Sequence, residues 1–248
     1  MGSTTMTPSK RLASALIGTL LGVVVVAGVG FTLHIKSKDA NGTLEATKLS
    51  ETIQIDGKTY PKATISMGVY ADNAQEAEVG DKQKSGRENK QDWVHYGPSS
   101  HLVLPANTYV TMTIRSYDGG EELNNPYFGK VVGTVGGTIN IDGVDVTAVP
   151  SDNVEHTFTL HGIPSASQDP LFVNVPLPQV KTNDKGDFIP TQDPGTKGEG
   201  HTVTFSFITG GPGDYVWNCE YPCGDGTYAK FGAAMSAYGY MSGKVTVK

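Results

Sequence analysis

The sequence has few charged residues, only two cysteines, and no sustained helical repeat beyond its N-terminal segment. Charged side chains make up 18% of the 248 residues, which argues against wholesale disorder because disordered chains combine high charge with low hydrophobicity. The formal net charge of −6 argues against nucleic acid as a partner, since such partners attract basic surfaces. We therefore expect a folded, turn-rich chain that does not bind nucleic acid.

The sequence patterns of several enzyme classes are also missing. The chain has no serine-elbow motif and no helix with paired metal ligands. The glycine-rich segment 133–137 precedes a strand pattern rather than a helix, so it does not predict a phosphate-binding loop. A nucleophilic thiol needs a basic partner, and the sequence identifies none for Cys219 or Cys223. The sequence thus gives no sign of these kinds of catalyst.

The N-terminal segment is unlike the rest of the chain. Residues 12–35 are nearly all apolar and include no Asp, Glu, Lys or Arg, and about 20 such residues suffice for a membrane-spanning helix. Lys10 and Arg11 precede this run, which predicts that residues 1–11 stay in the cytoplasm. We expect a single-pass anchor in the cell membrane, a polar tether over residues 36–50, and the remaining chain on the extracytoplasmic side.

A cleavable signal peptide is the alternative interpretation of this segment. The apolar region of a signal peptide is usually about 7–15 residues long, and the run here is longer, which favours an uncleaved anchor. Both interpretations export the following domain. That domain would then lie in a compartment where disulfides persist.

Residues 51–248 show the patterns of an all-β domain. Apolar and polar residues alternate with a period of two over 63–70 and 201–208, as expected of half-buried strands. The Asp-Gly pairs at 56–57 and 142–143 lie between strand patterns and predict hairpins. Short strands separated by turns indicate a sandwich or a barrel.

Two segments of this domain have no strand periodicity. Residues 72–100 are charged and contain glycine, and residues 181–200 are polar and rich in glycine and proline. We predict that both are inserted surface loops, with Trp93 and Tyr96 holding the first one against the domain.

The most specific chemical pattern lies close to the C-terminus. Cys219 ends a strand pattern, Cys223 follows four positions later, and Met241 begins the last strand pattern. His156 lies on an earlier strand, in the sequence His-Thr-Phe158. These segments, in this order, resemble those of the cupredoxin superfamily, in particular the copper domain of cytochrome c oxidase subunit II and the plastocyanin- and sulfocyanin-like blue copper proteins.

The resemblance implies a Greek-key β-sandwich that binds copper for electron transfer. Its implied metal ligands are His156, Cys219, Cys223 and Met241. Imidazole and thiolate ligands suit both Cu(I) and Cu(II), and a weak thioether tunes the redox potential. The resemblance also implies an electron carrier or a respiratory-chain accessory rather than a catalyst, with a redox protein or a respiratory complex as its partner.

The ligand set of the resemblance is incomplete in this sequence. Blue copper proteins have a second histidine between the cysteine and the methionine, but all six histidines here precede Cys219. The two-copper centre of oxidase subunit II has a histidine and a methionine after its second cysteine. Thr227 and Lys230 occupy the corresponding positions here. His95 or His101 could supply a nitrogen ligand, but the sequence places neither of them there.

Three alternatives to an electron carrier stay open. The chain could be a metal-free binding or assembly module that keeps the sandwich, with Cys219 and Cys223 joined in a disulfide. It could be a Cu(I) chaperone that binds the ion without reversible electron transfer. It could also be another kind of β-sandwich, such as an immunoglobulin-like adhesion module, because a fold does not determine a function.

Overall fold

The computed structural model describes residues 17–20, 22–28, 42–70, 93–119, 125–162, 167–180, 200–223, 233–237 and 239–248. The chain divides into two compact units, Met1–Ala40 and Asn41–Lys248.

The first unit is described only over residues 17–20 and 22–28, which are helical. Among the residues that the structure describes, no helix has both the length and the apolar character needed to cross a membrane. The cytoplasmic segment predicted at residues 1–11 and both ends of the anchor predicted at 12–35 lie outside the described residues. The anchor therefore stays a prediction.

The second unit is built from strands. Over the described residues they are β1 (Leu44–Glu45), β2 (Thr47–Ile55), β3 (Lys58–Tyr70), β4 (His95–Gly97), β5 (Leu102–Leu104), β6 (Tyr109–Ser116), β7 (Ile139–Ile141), β8 (Val144–Val146), β9 (Val154–His161), β10 (Val173–Pro178), β11 (His201–Ile208), β12 (Gly213–Asn218) and β13 (Ser242–Val247). Short 3-10 turns occur at Val135–Gly137, Ser151–Asn153 and Ala233–Met235.

The strands form two sheets. The first sheet has the order β1-β5-β13-β12-β9-β10, and the second has the order β2-β3-β6-β11-β7-β8, with β4 paired to β3. Most neighbouring strands are antiparallel, but β5 runs parallel to β1 and β13, and β3 runs parallel to β6. The all-β class predicted from the sequence is confirmed.

The alternating sequence pattern explains why the sheets pack face to face. On β6, Val110, Met112 and Ile114 are buried, while the residues between them are only partly buried. On the outer face, the hydroxyl groups of Thr113 and Thr204 lie 3.3 Å apart in a cross-strand pair. A strand that alternates in this way buries one face and leaves the other to solvent.

Both Asp-Gly pairs form the predicted hairpin turns. Asp56 and Gly57 connect β2 to β3 with φ angles of 50° and 76°. Asp142 and Gly143 connect β7 to β8 with φ angles of 51° and 91°. Two successive positive φ angles are required by the two-residue turn whose twist matches the flanking strands, and aspartate and glycine tolerate them better than most residues.

Aromatic side chains fill the core between the sheets next to the C-terminal cysteines. Trp217 is fully buried, and its ring lies 5.4 Å from that of Phe158 in a stacked arrangement and 4.7 Å from that of Tyr96 in an edge-on one. The Trp217 indole N–H donates to the Ser100 carbonyl over 2.9 Å, so its one polar atom is satisfied. Phe158 also approaches Phe205 of the second sheet, at 6.0 Å between ring centroids.

Ordered strands extend into two segments predicted as irregular. Strands β1 and β2 begin at Leu44 and Thr47, inside the range predicted as a tether. At the end of the predicted 72–100 loop, His95–Gly97 forms strand β4 and is buried. Tyr96 does hold this segment to the domain, because its hydroxyl donates to the Thr157 carbonyl over 2.8 Å. Residues 71–92 and 181–199 of the two predicted insertions lie outside the described residues.

Replacing Trp217 with alanine should strongly destabilise the domain, because the fully buried indole would leave a cavity. We expect Trp217→Ala to lower the free energy of unfolding by about 3–5 kcal/mol, measured by urea denaturation. Val216→Ala is the matched control on the same strand, since Val216 faces outward and is 45% exposed. Equal losses in the two variants would contradict this packing.

Candidate metal centre

The pairing of β9 with β12 brings His156 and Cys219 to the same region of the core. Trp217 pairs with Leu160 and Asn218 with Thr159, so Cys219 continues the ladder opposite Phe158. Side chains alternate between the two faces of a strand, and His156 therefore shares the core-facing side of β9 with Phe158. His156 and Cys219 are each 1% exposed.

Cys223 returns to the same place after a short turn. Its Sγ lies 2.9 Å from His156 Nδ1 and 3.3 Å from Cys219 Sγ. Cys219 Sγ lies 3.8 Å from the same ring nitrogen. Both cysteines are free thiols, and the separation of their sulfurs is well above the roughly 2.05 Å of a disulfide bond. The structure thus brings together three of the four ligands predicted from the sequence.

The two thiols have different hydrogen-bond partners. Cys219 Sγ accepts the Thr157 N–H over 3.4 Å, whereas the Cys223 thiol donates to the Tyr221 carbonyl over 3.1 Å. Burial raises the pKa of Cys219, but hydrogen bonds from Cys223 and His156 outweigh it and hold this pKa well below its usual value. Burial and the neighbouring Cys219 both raise the pKa of Cys223. Cys219 is therefore the more readily ionised of the two cysteines.

Carboxylates surround the other nitrogen of the imidazole. His156 Nε2 lies 2.9 Å from Asp118 Oδ2 and 2.7 Å from Glu155 Oε1. Burial lowers the pKa of His156, but Cys223, Glu155 and Asp118 outweigh that effect and raise it. Burial raises the pKa of Glu155 from 4.5 to about 8, although His156 acts in the opposite direction. A histidine held by carboxylates at one nitrogen is oriented to bind a metal with the other.

The backbone of Met241 is hydrogen-bonded to that of Cys219. The Cys219 N–H donates to the Met241 carbonyl over 2.8 Å, and Met241 is 1% exposed. This hydrogen bond extends the β12–β13 pairing by one residue beyond Asn218 and Ser242. The role of the Met241 thioether as a fourth ligand stays a prediction.

No second histidine joins this cluster among the residues that the structure describes. His101 Nε2 lies 3.3 Å from Thr246 Oγ1, and His161 Nε2 lies 2.8 Å from Asn218 Oδ1. The other described histidines outside the cluster are His95 and His201. His34, Thr227 and Lys230 lie outside the described residues.

Sequence reasoning missed Asp118, Glu155 and Thr157. Glu155 and Thr157 flank His156 directly, so their proximity could have been expected once His156 was singled out. Asp118 follows β6 at the position where the buried alternation of that strand would continue. Its contact with His156 joins the two sheets, and no pattern within one strand could have predicted it.

No protein-family model and no curated protein matches this chain. Among solved structures it is similar to auracyanin B at 12% identity, with a TM-score of 0.30 and coverage of 82% of this chain and 97% of that one. It is also similar to rusticyanin from Thiobacillus ferrooxidans at 12% identity, with a TM-score of 0.31 and coverage of 75% and 82%. Another rusticyanin structure, described as that of a copper protein, matches at 14% identity with a TM-score of 0.26.

These solved structures are cupredoxins, the superfamily that the sequence resembles. With identities and TM-scores this low, the likeness carries no argument about the fold, ligands, partners or activity of this chain. The chemistry of the site is therefore inferred from its own geometry.

The buried carboxyl of Glu155 should make stability depend on pH. Between about pH 4.5 and 8, the folded chain holds a proton on Glu155 that the unfolded chain has released, so the free energy of unfolding falls as pH rises. In reduced, metal-free protein, we expect Glu155→Gln to remove a slope of up to about 1.4 kcal/mol per pH unit, measured by urea denaturation at several pH values. Glu220→Gln is the control and should keep the slope. An unchanged slope in Glu155→Gln would contradict the prediction.

Proposed function

We propose that this protein binds copper through His156 Nδ1, Cys219 Sγ and Cys223 Sγ, and that it carries electrons outside the cytoplasm. The observation that carries the proposal is the convergence of these three donor atoms, which belong to buried residues and all lie within 4.8 Å of one another. Met241 is the proposed fourth ligand, since its backbone pairs with that of Cys219 at the end of the β12–β13 ladder. The domain as a whole is proposed to have a cupredoxin-like Greek-key topology.

The donor set suits copper. Thiolate sulfurs are soft ligands that favour Cu(I), and imidazole binds either oxidation state. Copper supplies a one-electron couple when it is bound. Zn²⁺ also accepts cysteine and histidine ligands, so the chemistry of the donors alone favours copper without excluding zinc. The experiment below includes both ions for this reason.

The residues around the donors hold them in place and keep water away. The Asp118 carboxylate orients the His156 ring from its Nε2 side, and the Thr157 N–H fixes Cys219 Sγ. Strands β9 and β12 belong to one hydrogen-bonded sheet, so the donor atoms should move little when an electron enters or leaves. Small movement favours rapid electron transfer because less of the surroundings must rearrange.

The cellular setting belongs to the same proposal. The apolar run at residues 12–35 supports a single-pass anchor in the cell membrane, with the β-domain on the extracytoplasmic side. We propose a redox protein or a respiratory complex as the partner. The net charge of −6 is compatible with a basic partner surface.

Two other functions are compatible with the same cluster. The sulfurs of Cys219 and Cys223 lie 3.3 Å apart, so a small movement would allow a disulfide in an oxidising compartment, as the metal-free module requires. A site with two thiolates and one imidazole also suits a Cu(I) chaperone. In the metal-free module the two sulfurs form a disulfide and bind no ion. In the chaperone the bound Cu(I) takes no part in reversible electron transfer.

Copper binding is tested by titrating the reduced full-length protein with Cu(I) in the presence of a competing chelator. We expect one Cu(I) per chain, bound more tightly than Zn²⁺. His156→Gln and Cys219→Ser should each weaken binding by at least about 100-fold. Changing a residue that only supports a metal ligand already weakens binding by up to about 100-fold, and losing a ligand should weaken it at least as much. After oxidation, a charge-transfer band in the visible spectrum should disappear in Cys219→Ser.

His161→Gln is the matched control, because His161 lies on the same strand but bonds to Asn218 outside the cluster. It should bind Cu(I) like the unchanged protein. If neither Cu(I) nor Cu(II) binds to reduced protein, the copper proposal is wrong. Mass spectrometry of protein from its native membrane that shows a Cys219–Cys223 bridge would favour the metal-free module.

Voltammetry of the copper-loaded protein separates a carrier from a chaperone. We expect a reversible one-electron wave because the ligands come from a fixed sheet. Cu(I) binding without a reversible wave would instead support the chaperone. Val216→Ala, which alters only the outer face of β12, should leave the wave unchanged.

A further inference from the structure

The far side of the His156 ring carries a second group of possible ligands. Asp118 Oδ2 lies 2.9 Å and Glu155 Oε1 lies 2.7 Å from Nε2, whereas the cysteine sulfurs face Nδ1. The three ligand atoms of this group lie within 4.8 Å of one another, about twice the length of a bond from Zn²⁺ to oxygen or nitrogen. They can therefore reach a single ion.

Glu155 is the observation that points to a ligand. Its side chain is 0% exposed, and neither of its carboxylate oxygens accepts a hydrogen bond of good geometry from a described residue. A buried carboxyl group without such a hydrogen bond lowers the stability of the fold, so such a group is rarely kept without a reason.

His156 cannot satisfy both carboxylates by itself. Its Nε2 carries at most one proton, and the hydrogen bond of good geometry goes to Asp118. Glu155 Oε1 is close to the same nitrogen but does not form a hydrogen bond with it. A cation between the three groups would bind both carboxylates at once.

We propose that Glu155, Asp118 and His156 Nε2 form a second metal site, which takes a divalent cation of the Zn²⁺ class. One imidazole and two carboxylates suit borderline divalent ions better than Cu(I), which prefers sulfur. Asp118 is 18% exposed, so the site has an opening toward solvent. Ligand bonds of about 2.0–2.2 Å require the carboxylates to move slightly away from the ring to admit the ion.

The second site does not depend on copper. It uses Nε2, while the proposed copper site uses Nδ1, and a neutral imidazole can keep its one proton on Nδ1 when Zn²⁺ binds to Nε2. Zn²⁺ also compensates the negative charge that the two adjacent carboxyl groups carry when they bind it, which matters because unpaired charges in a largely buried place are costly. A neutral imidazole has one free lone pair, so filling both sites at once would require His156 to release its remaining proton to solvent and to bridge the ions as an imidazolate.

The test uses full-length protein with the double change Cys219→Ser and Cys223→Ser, which removes the sulfur ligands. We expect this variant to bind one Zn²⁺ per chain, measured by calorimetry and by elemental analysis after gel filtration. Adding Glu155→Gln or Asp118→Asn should weaken Zn²⁺ binding by at least about 100-fold, because each change removes a ligand and even the loss of a residue that only supports a ligand weakens binding by up to about 100-fold. Co²⁺ at the same site should give weak visible bands without a thiolate charge-transfer band.

Glu220→Gln in the same double-serine protein is the matched control, because Glu220 lies one residue after Cys219 but outside the group. It should keep Zn²⁺ binding. Circular dichroism checks that each variant is folded; if the double-serine protein is not, the double change Cys219→Ala and Cys223→Ala is used in its place, because a buried cysteine behaves as a small apolar residue.

Two results would overturn the second site. The first is a folded double-serine or double-alanine protein that binds no Zn²⁺. The second is Zn²⁺ binding that neither Glu155→Gln nor Asp118→Asn weakens, which would place the ion elsewhere. Cu(I) binding by the unchanged protein is measured separately, so failure of the copper proposal and failure of the zinc proposal can be told apart.

Discussion

The antiparallel register between β9 and β12 is the constraint on which the whole site depends. It sets Trp217 opposite Leu160 and carries Cys219 to the place beside Phe158, two residues along the same face from His156. A shift of the register by one residue would turn Cys219 to the other face of the sheet. The large aromatic side chains oppose such a shift, because it would remove Trp217 from its contacts with Phe158 and Tyr96.

Charge is distributed unusually around one imidazole in this core. Cysteine sulfurs lie on the Nδ1 side of His156, and two carboxylates lie on the Nε2 side. Buried groups of this kind normally cost folding free energy unless they are paired or bind a metal. His156 contacts the sulfurs at one ring nitrogen and Asp118 at the other, and the Glu155 carboxyl is left without a hydrogen bond of good geometry. A cluster of buried ionisable side chains is better explained by function than by packing, since functional sites concentrate such groups.

The sequence predicted much of the scaffold and part of the site. The alternation over 201–208 and the two Asp-Gly turns follow from local physics, and both became strands and hairpins. The strand β4 within the predicted 72–100 loop was missed, because a three-residue strand has too few alternations to show a period. Asp118 was missed because its contact with His156 crosses between sheets.

The sequence by itself determined the kinds of atoms available to this protein: two sulfurs four residues apart, histidines that all precede them, and strands whose alternation defines one buried face. Only the tertiary structure decided which of those histidines meets the sulfurs, and that carboxylates close the opposite side of its ring. The physical reason is that residue spacing controls neighbours along a strand, whereas contacts between strands depend on register and on how two sheets pack.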